Sequence, residues 1–375
     1  TTNPSPLQIT RLMEQLKKAK KPIVLAGAGI TAANAAKELQ AFVERYKLPT
    51  VTTLLGLGTL PADCPYFLGM GGMHGSYTSN MALAECDLLI NIGSRFDDRL
   101  ATCPSQFATG AVIAHIDIDP AEIGKIIPTD IPIVGDAKNA LEKLLAFEPF
   151  DVDSQAWQDL CLERKQKYPF KYDRENKVEI KPQHVIEKVG EITKGQAFVS
   201  TDVGQHQMWV AQYYPFNFPN QLITSGGLGT MGFGIPAGIG AQFAYRNRPV
   251  VVFVGDGGFQ MTNQEFAILN ENGLNVKFVL INNGSLGMVR QWQERFHNER
   301  RSSSVFNGQP DFIKLAEAYG IDAVRIMNPA TVDSELEAAF AKEGPMLIEV
   351  IVSNSEHVTP MVPAGVPNDQ MIGVE

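Results

Sequence analysis

The feature that most constrains this chain is a recurring short run of continuous apolar and β-branched residues. Pro22–Ala26, Thr50–Thr53, Asp87–Ile92, Ala111–Ile118 and Ile131–Val134 are of this kind in the first part, as are Ala197–Thr201, Val250–Val254, Val276–Ile281 and Met346–Val352 in the second. Such runs lack the polar alternation of a strand with one wet face, so both faces must be covered. Helical stretches lie between them: Ala32–Tyr46, Tyr77–Glu85, Pro182–Ile192, a Gly/Ala-rich segment entering a helix in Gly226–Tyr245, then Asn263–Asn270, Pro310–Tyr319 and Val332–Ala341. Buried strands separated by helices imply parallel sheets in an α/β fold.

At 375 residues the chain has room for two domains, at roughly 150 residues each. We expect two doubly wound parallel-sheet domains, residues 1–150 and 181–375. Between them, residues 151–180 turn polar, with Glu163-Arg164-Lys165 inside the charged stretch Cys161–Lys181, and read as a connecting helix plus loop. The opening Thr1-Thr2-Asn3-Pro4-Ser5-Pro6 has neither the basic region nor the apolar core of a secretory signal, reads as an interdomain linker, and carries no starting Met. That suggests a processed or cut chain.

Lys and Arg total 32 against 41 Asp and Glu, a net charge of -9, which argues against a nucleic-acid partner. No apolar run approaches the roughly 20 residues of a spanning helix, so no membrane segment is expected. Cys64, Cys86, Cys103 and Cys161 are widely spaced without a C-x-x-C pair. Free structural thiols in a reducing cytoplasm fit best.

The chemistry concentrates where two strands end. Gly255-Asp256-Gly257-Gly258 follows Val250–Val254, and Asn282-Asn283 follows Val276–Ile281. Ligands of open α/β sheets bind beyond the carboxyl ends of strands, so Asp256 and Asn283 can point at one volume. A carboxylate and an amide oxygen are hard ligands suited to Mg²⁺, which shares its shell with phosphates and water. The glycines allow close approach of the main chain, and a helix starting near Thr262 is expected to aim its free N–H groups at a diphosphate. Taken singly, Gly-Asp-Gly and Asn-Asn-Gly are ordinary turns; the pairing after successive strands is what makes them specific.

The pattern G-D-G, one helix and one strand, then N-N resembles the fingerprint of thiamine diphosphate (ThDP) enzymes. Thr201-Asp202-Val203-Gly204-Gln205-His206-Gln207-Met208-Trp209, Thr224-Ser225-Gly226-Gly227-Leu228-Gly229-Thr230-Met231-Gly232 and Gly287-Met288-Val289-Arg290-Gln291-Trp292-Gln293 look like acetohydroxyacid synthase (acetolactate synthase) catalytic subunits, as do Gly72-Met73-His74-Gly75, Gly93-Ser94-Arg95-Phe96-Asp97-Asp98-Arg99 and Pro360-Met361-Val362-Pro363. The resemblance implies that Asp256, Asn283 and the Ser285 main-chain carbonyl hold Mg²⁺. It implies that Val203, Gly204, Gln205 and His206 lie along the diphosphate, that Met231 bends the cofactor, and that the Gly229 carbonyl meets the pyrimidine amino group. A bent cofactor makes proton removal intramolecular. Met288, Val289 and Trp292 would close over the reactive carbon, with Trp292 favouring 2-ketobutyrate over pyruvate as second substrate. Core filling by Met231 or Trp292, and a solvated loop position for His206, are the plainer alternatives.

In the first domain Gly27-x-Gly29-x-x-Ala32 follows a strand and opens a helix, so the dinucleotide fingerprint has to be considered. No acidic residue clearly ends the next strand, and we read a tight turn instead. The resemblance implies a different flavin site, an extended FAD of structural role held by His74–Arg95 and Asp117–Asp136. His74, Gly75, Gly93, Arg95, Asp97, Arg99, Asp117, Asp119 and Asp136 are its candidate residues, although Asp117-Ile118-Asp119-Pro120 reads equally as a capping turn before a helix near Pro120.

The family's reaction is decarboxylation of pyruvate and carboligation to a second 2-keto acid, in homodimers or tetramers with a possible small regulatory subunit. The glutamate that protonates the pyrimidine ring belongs, by the same resemblance, to an N-terminal domain, and neither Glu265 nor Glu271 is expected to replace it. We therefore expect the central and C-terminal portion of a larger subunit, inactive by itself. A pyruvate oxidase or 2-keto-acid decarboxylase, and a non-catalytic assembly module, are the rival readings.

Overall fold

The computed structural model describes residues 3–374, so Thr1 and Thr2 of the expected linker lie outside the described residues. Two compact units emerge. One comprises the chain up to Phe170 with Asn217–Pro219 and the tail from Thr359; the other comprises Lys171–Phe216 and Asn220–Val358.

The first unit is a six-stranded parallel sheet of β1 (Pro22–Ala26), β2 (Thr50–Thr52), β3 (Phe67–Met70), β4 (Leu88–Ile92), β5 (Val112–Asp117) and β6 (Ile131–Val134), in the order β3-β2-β1-β4-β5-β6. Its helices are α1 (Pro6–Leu16), α2 (Ala28–Ala32), α3 (Ala36–Tyr46), α4 (Tyr77–Glu85), α5 (Ala137–Leu145) and α6 (Gln155–Lys167). Every residue of β1 and β4 is buried, as uninterrupted apolar runs require. The expected N-terminal linker is, from Pro6 onward, helix α1, because Ile9, Leu12, Met13 and Leu16 fall at helical spacing and are all buried.

The stretch expected to connect the domains also belongs here. Trp157 and Cys161 of α6 are buried with Ala82, Leu83, Cys86 and Leu89. The Trp157 indole donates to the Pro22 carbonyl at 3.2 Å, and the Arg164 guanidinium grips Glu85 through both nitrogens at 3.0 and 2.9 Å. Compactness thus places the boundary near Phe170 rather than across 151–180, and sends the tail from Thr359 to the first unit rather than the second. Burial pushes the Cys86 and Cys161 thiols up to about 12. In the native protein a disulfide-exchange reagent should label the less buried Cys103 first and spare these two until denaturant is added. Early labelling of Cys161 would show that α6 is not seated on this core.

The second unit is also a six-stranded parallel sheet: β7 (Phe198–Thr201), β8 (Leu222–Thr224), β9 (Val250–Gly255), β10 (Val276–Asn282), β11 (Asp322–Ile326) and β12 (Met346–Ile351), ordered β11-β12-β10-β9-β7-β8. Its helices are α7 (Pro182–Ile192), α8 (Gln205–Tyr213), α9 (Gly234–Ala244), α10 (Asp256–Thr262), α11 (Gly287–Phe296), α12 (Phe312–Ala318) and α13 (Val332–Ala341). The chain leaves β7 for β8 on one side and returns to β9 on the other. The crevice between β7 and β9 is therefore the sheet's topological switch point, the place where such folds bind ligands. Among the described residues no helix is long and apolar enough to cross a membrane.

Candidate cofactor site

Parallel register delivers the candidate residues to one edge. Ile281 of β10 lies opposite Gly255 of β9, and Thr201 of β7 lies opposite Phe253. Asp202, Asp256 and Asn282-Asn283 therefore leave three adjacent strands at their carboxyl ends. One expectation needs correction: the helix after Gly-Asp-Gly does not begin near Thr262. It begins at Asp256 itself and ends at Thr262, where a 3₁₀ segment, Asn263–Ile268, takes over. The Asp256 carboxylate accepts the Gly257 N–H at 2.9 Å, one of the free donors of the helix's first turn.

Asp256 is buried, at 2% exposure. Its Oδ2 accepts the Ser285 N–H at 3.1 Å and the Gln309 Nε2–H at 2.7 Å. Burial nevertheless pushes its carboxyl up to about 6, against the lowering effect of these donors. The Ser285 N–H is shared: it also points at Asn283 Oδ1, 3.2 Å away. Two hard oxygens from adjacent strands thus converge on one partial positive charge. The Ser285 hydroxyl donates to the same Asn283 oxygen at 3.3 Å and accepts from Arg290 at 3.1 Å. Asn283 Nδ2 donates to Gln205 Oε1 at 3.2 Å, so the amide oxygen stays turned toward Asp256.

His206 is buried rather than solvated. A Cβ on Gly204 would stand 2.9 Å, and one on Gly255 3.0 Å, from its ring, so both glycines exist to let the imidazole fill the switch point. Burial drives it down to about 4 despite the neighbouring Asp202, leaving a neutral ring at neutral pH with its Nε2 unpartnered. Gln205 Nε2 donates to Gln291 Oε1 at 2.9 Å and to the Glu356 carbonyl at 3.0 Å. A Cβ on Gly287 would lie 2.0 Å from Gln205 Oε1.

Met231 is half-buried, its methyl 3.6 Å from where a Gly257 Cβ would sit, and exposed Gly229, at φ +65°, lies over Val203. Gly229 thus neighbours Val203, and Met231 neighbours Gly257. On α11, exposed Val289 and half-buried Met288 and Trp292 share the outer face, with Trp292 against Phe296 at 5.0 Å. Arg290 and Gln291 turn inward and are buried. The sequence assigns no role to Gln309 or Glu356, and Asp202, Arg290 and Gln291 figure there only within longer motifs. Asp202 carries a positional signal as well, since it follows a buried strand just as Asp256 does.

In the first unit the candidates follow the carboxyl ends of β3 (His74, Gly75), β4 (Gly93, Arg95, Asp97, Arg99), β5 (Asp117, Asp119) and β6 (Asp136). The acidic ones already serve local structure. Asp97 accepts the Arg99 and Leu100 N–H groups, Asp117 that of Asp119, Asp119 that of Ala121, and Asp136 caps α5 through Asn139. No helix begins near Pro120; residues 120–124 are turns. His74 is buried, its imidazole driven down to about 4 by burial and by Arg99, while Arg95 and Arg99 are exposed. Gly27 is the N-cap of α2 and Gly29 lies within it, both packed on the residue after β4: a Cβ on Gly27 would stand 2.2 Å, and one on Gly29 2.6 Å, from Gly93 main-chain atoms.

The donor set fits a hard cation shared with a diphosphate. It offers oxygen only, and a buried carboxylate whose charge is costly until a cation neutralises it. Among the described residues no three His, Cys, Asp or Glu side chains could hold a metal between them, so phosphate and water would have to complete the shell. Residues 202–350 match the model for the thiamine pyrophosphate enzyme C-terminal TPP binding domain, and residues 9–144 match the central domain of thiamine pyrophosphate enzymes.

Named relatives sharpen this. The chain is 56% identical over 367 residues to an acetolactate synthase large subunit of Lactococcus lactis, covering 98% of this chain and 64% of the relative. It is 42% identical to the acetolactate synthase isozyme 3 large subunit of Escherichia coli K12 over 374 residues (97% and 65%), and 42% to a Haemophilus influenzae large subunit over 378 (99% and 66%). The chain belongs to the thiamine pyrophosphate enzymes; it is similar to acetolactate synthase large subunits and spans just under two thirds of the length of these relatives.

Proposed function

We propose that this protein holds the Mg²⁺-diphosphate end of ThDP and takes part in acetolactate synthesis from pyruvate, with 2-ketobutyrate as an alternative second substrate giving acetohydroxybutyrate. The observation that carries the reading is the convergence of Asp256 Oδ2 and Asn283 Oδ1 on the Ser285 N–H at the ends of β9 and β10. Asp256, Asn283 and the Ser285 carbonyl would hold the cation, and Val203, Gly204, Gln205 and His206 the diphosphate. When bound, ThDP supplies the carbanion chemistry that decarboxylation and carboligation need. This chain's residues bind, orient and exclude water. His206, neutral and buried, can share a proton with phosphate oxygen but adds no charge; Met231 shapes the floor, and the outer face of α11 closes over the reacting carbon. No glutamate here is assigned to the pyrimidine ring.

We also propose structural FAD along the carboxyl edge of the first sheet, supported by candidates that follow β3, β4, β5 and β6 there. Homo-oligomers and a small regulatory subunit are proposed on the strength of the relatives alone. The test is product analysis of the full-length protein with pyruvate, ThDP and Mg²⁺. Acetolactate is expected; acetaldehyde or acetyl phosphate would move the assignment to a decarboxylase or an oxidase.

A further inference from the structure

A chain of polar side chains runs from the outer strands of the second sheet to Asp256. Arg325 of β11 lies directly opposite Glu349 of β12, and Glu349 opposite Leu280 of β10. Asn282, two residues beyond Leu280, shares the face of Glu349. Arg325 Nε donates to Glu349 Oε2 at 2.7 Å, and Asn282 Nδ2 donates to Glu349 Oε1 at 2.8 Å and to Gln309 Oε1 at 3.1 Å. Gln309 Nε2 then donates to Asp256 Oδ2 at 2.7 Å. Glu349 is 1% exposed.

The direction of this chain is forced. A carboxylate paired with a guanidinium only accepts, so Asn282 must turn its Nδ2 toward Glu349; its Oδ1 is fixed the other way by the Gly284 N–H at 3.1 Å. Gln309 must then offer Oε1 to Asn282 and its amide nitrogen to Asp256. Reversed, it would set two oxygens against each other. An Asp carboxylate has about four acceptor positions. Ser285 and Gln309 bond Oδ2 and Gly257 bonds Oδ1, and the Gly284 N–H also acts on this carboxylate.

We propose that Gln309, oriented through Asn282 by the Arg325–Glu349 ion pair, is a positioning residue that fixes the orientation of the Asp256 carboxylate toward the cation. This rests on the reading of Asp256 as a cation ligand. Partners of this kind typically change metal affinity 10–100-fold.

The test measures Mn²⁺ binding by electron paramagnetic resonance, with ThDP present, in the full-length protein. Gln309→Leu should weaken Mn²⁺ roughly tenfold while leaving the metal-free melting temperature unchanged. Glu349→Gln should weaken it too, and the double variant should bind no worse than the poorer single one. Unchanged Mn²⁺ affinity in Gln309→Leu, a loss matched by lower metal-free stability, or strictly additive effects would each overturn the proposal. Should Glu349→Gln not fold, Gln309→Leu still decides, because residue 309 is only half-buried. If the unaltered protein binds no Mn²⁺ with ThDP, the functional reading fails instead. The relay is then judged without ligands, from the side-chain amide NMR signals of Gln309, assigned by their loss in Gln309→Leu. They should be two resolved, slowly exchanging protons that shift in Glu349→Gln or, if that variant is lost, in Arg325→Gln; averaged or unmoved signals contradict it.

Discussion

Replacing Asp256 with asparagine should cost roughly 100-fold or more in Mg²⁺-dependent ThDP binding, beyond the loss expected for any supporting residue, without unfolding the metal-free protein. The carboxylate is buried and its carboxyl sits at about 6, against an ordinary 3.8, because burial opposes its charge. A group whose folded value is raised contributes stability that is complete below its unfolded value and is lost as pH rises through the folded one. For Asp256 that window runs from about pH 4 to just above 6, and two pKa units correspond to about 3 kcal/mol. Asparagine removes this dependence at the cost of one mismatched contact with the Gly257 N–H, about 1 kcal/mol. Metal-free melts across that range should therefore flatten in the variant. In the unaltered protein, cation affinity should fall about tenfold per pH unit below about pH 6, because the ligand must be deprotonated. A metal-free variant that fails to fold, or one that keeps its Mg²⁺ dependence, would contradict this account of Asp256.

Gly234→Ala should be the most damaging single methyl group in the second unit. A Cβ there would stand 2.5 Å from the Asp202 nitrogen and 2.9 Å from its Cα, and main-chain atoms of a buried strand end cannot step aside. The contact is close because α9 is pinned to β7: the Gly234 N–H donates to Asp202 Oδ2 at 2.9 Å, and Ser200 Oγ donates to the Gly234 carbonyl at 2.8 Å. Overpacking of this kind costs about 3 kcal/mol, roughly a 10 °C fall in melting temperature for a unit of this size. ThDP binding should fall with it, since Asp202 Oδ1 lies only 2.2 Å from the place of a Gly258 Cβ and any shift of Asp202 disturbs α10. Gly240→Ala in the same helix meets nothing within 4 Å and should stabilise by about 0.5–1 kcal/mol. Similar effects from the two substitutions would refute the argument from close approach.

Continuous apolar strands made the sheets readable, because a run such as Val250–Val254 has only one way to be buried. Short or mixed strands were not readable in this way: β8 is three half-buried residues, and β11 exposes Asp322 and Arg325. Helix α1 was hidden by its proline-rich approach, although its buried residues keep helical spacing. At the site, whatever immediately follows a strand could be found from sequence, as Asp256 and Asn283 were. Gln309 could not. It reaches Asp256 from 53 residues away, through a loop with no periodicity, and only the folded sheet shows that it belongs there. The four acidic FAD candidates show the converse limit, since aspartates after strands are also the residues that close turns and cap helices.

The measurement that bears most directly on the central claim is anomalous diffraction at the manganese edge from the full-length protein crystallised with ThDP and Mn²⁺. The account predicts one strong peak bonded to Asp256 and Asn283 beside the diphosphate, at the carboxyl ends of β9 and β10. A peak held by other residues, or ThDP bound with no metal at Asp256, would contradict it.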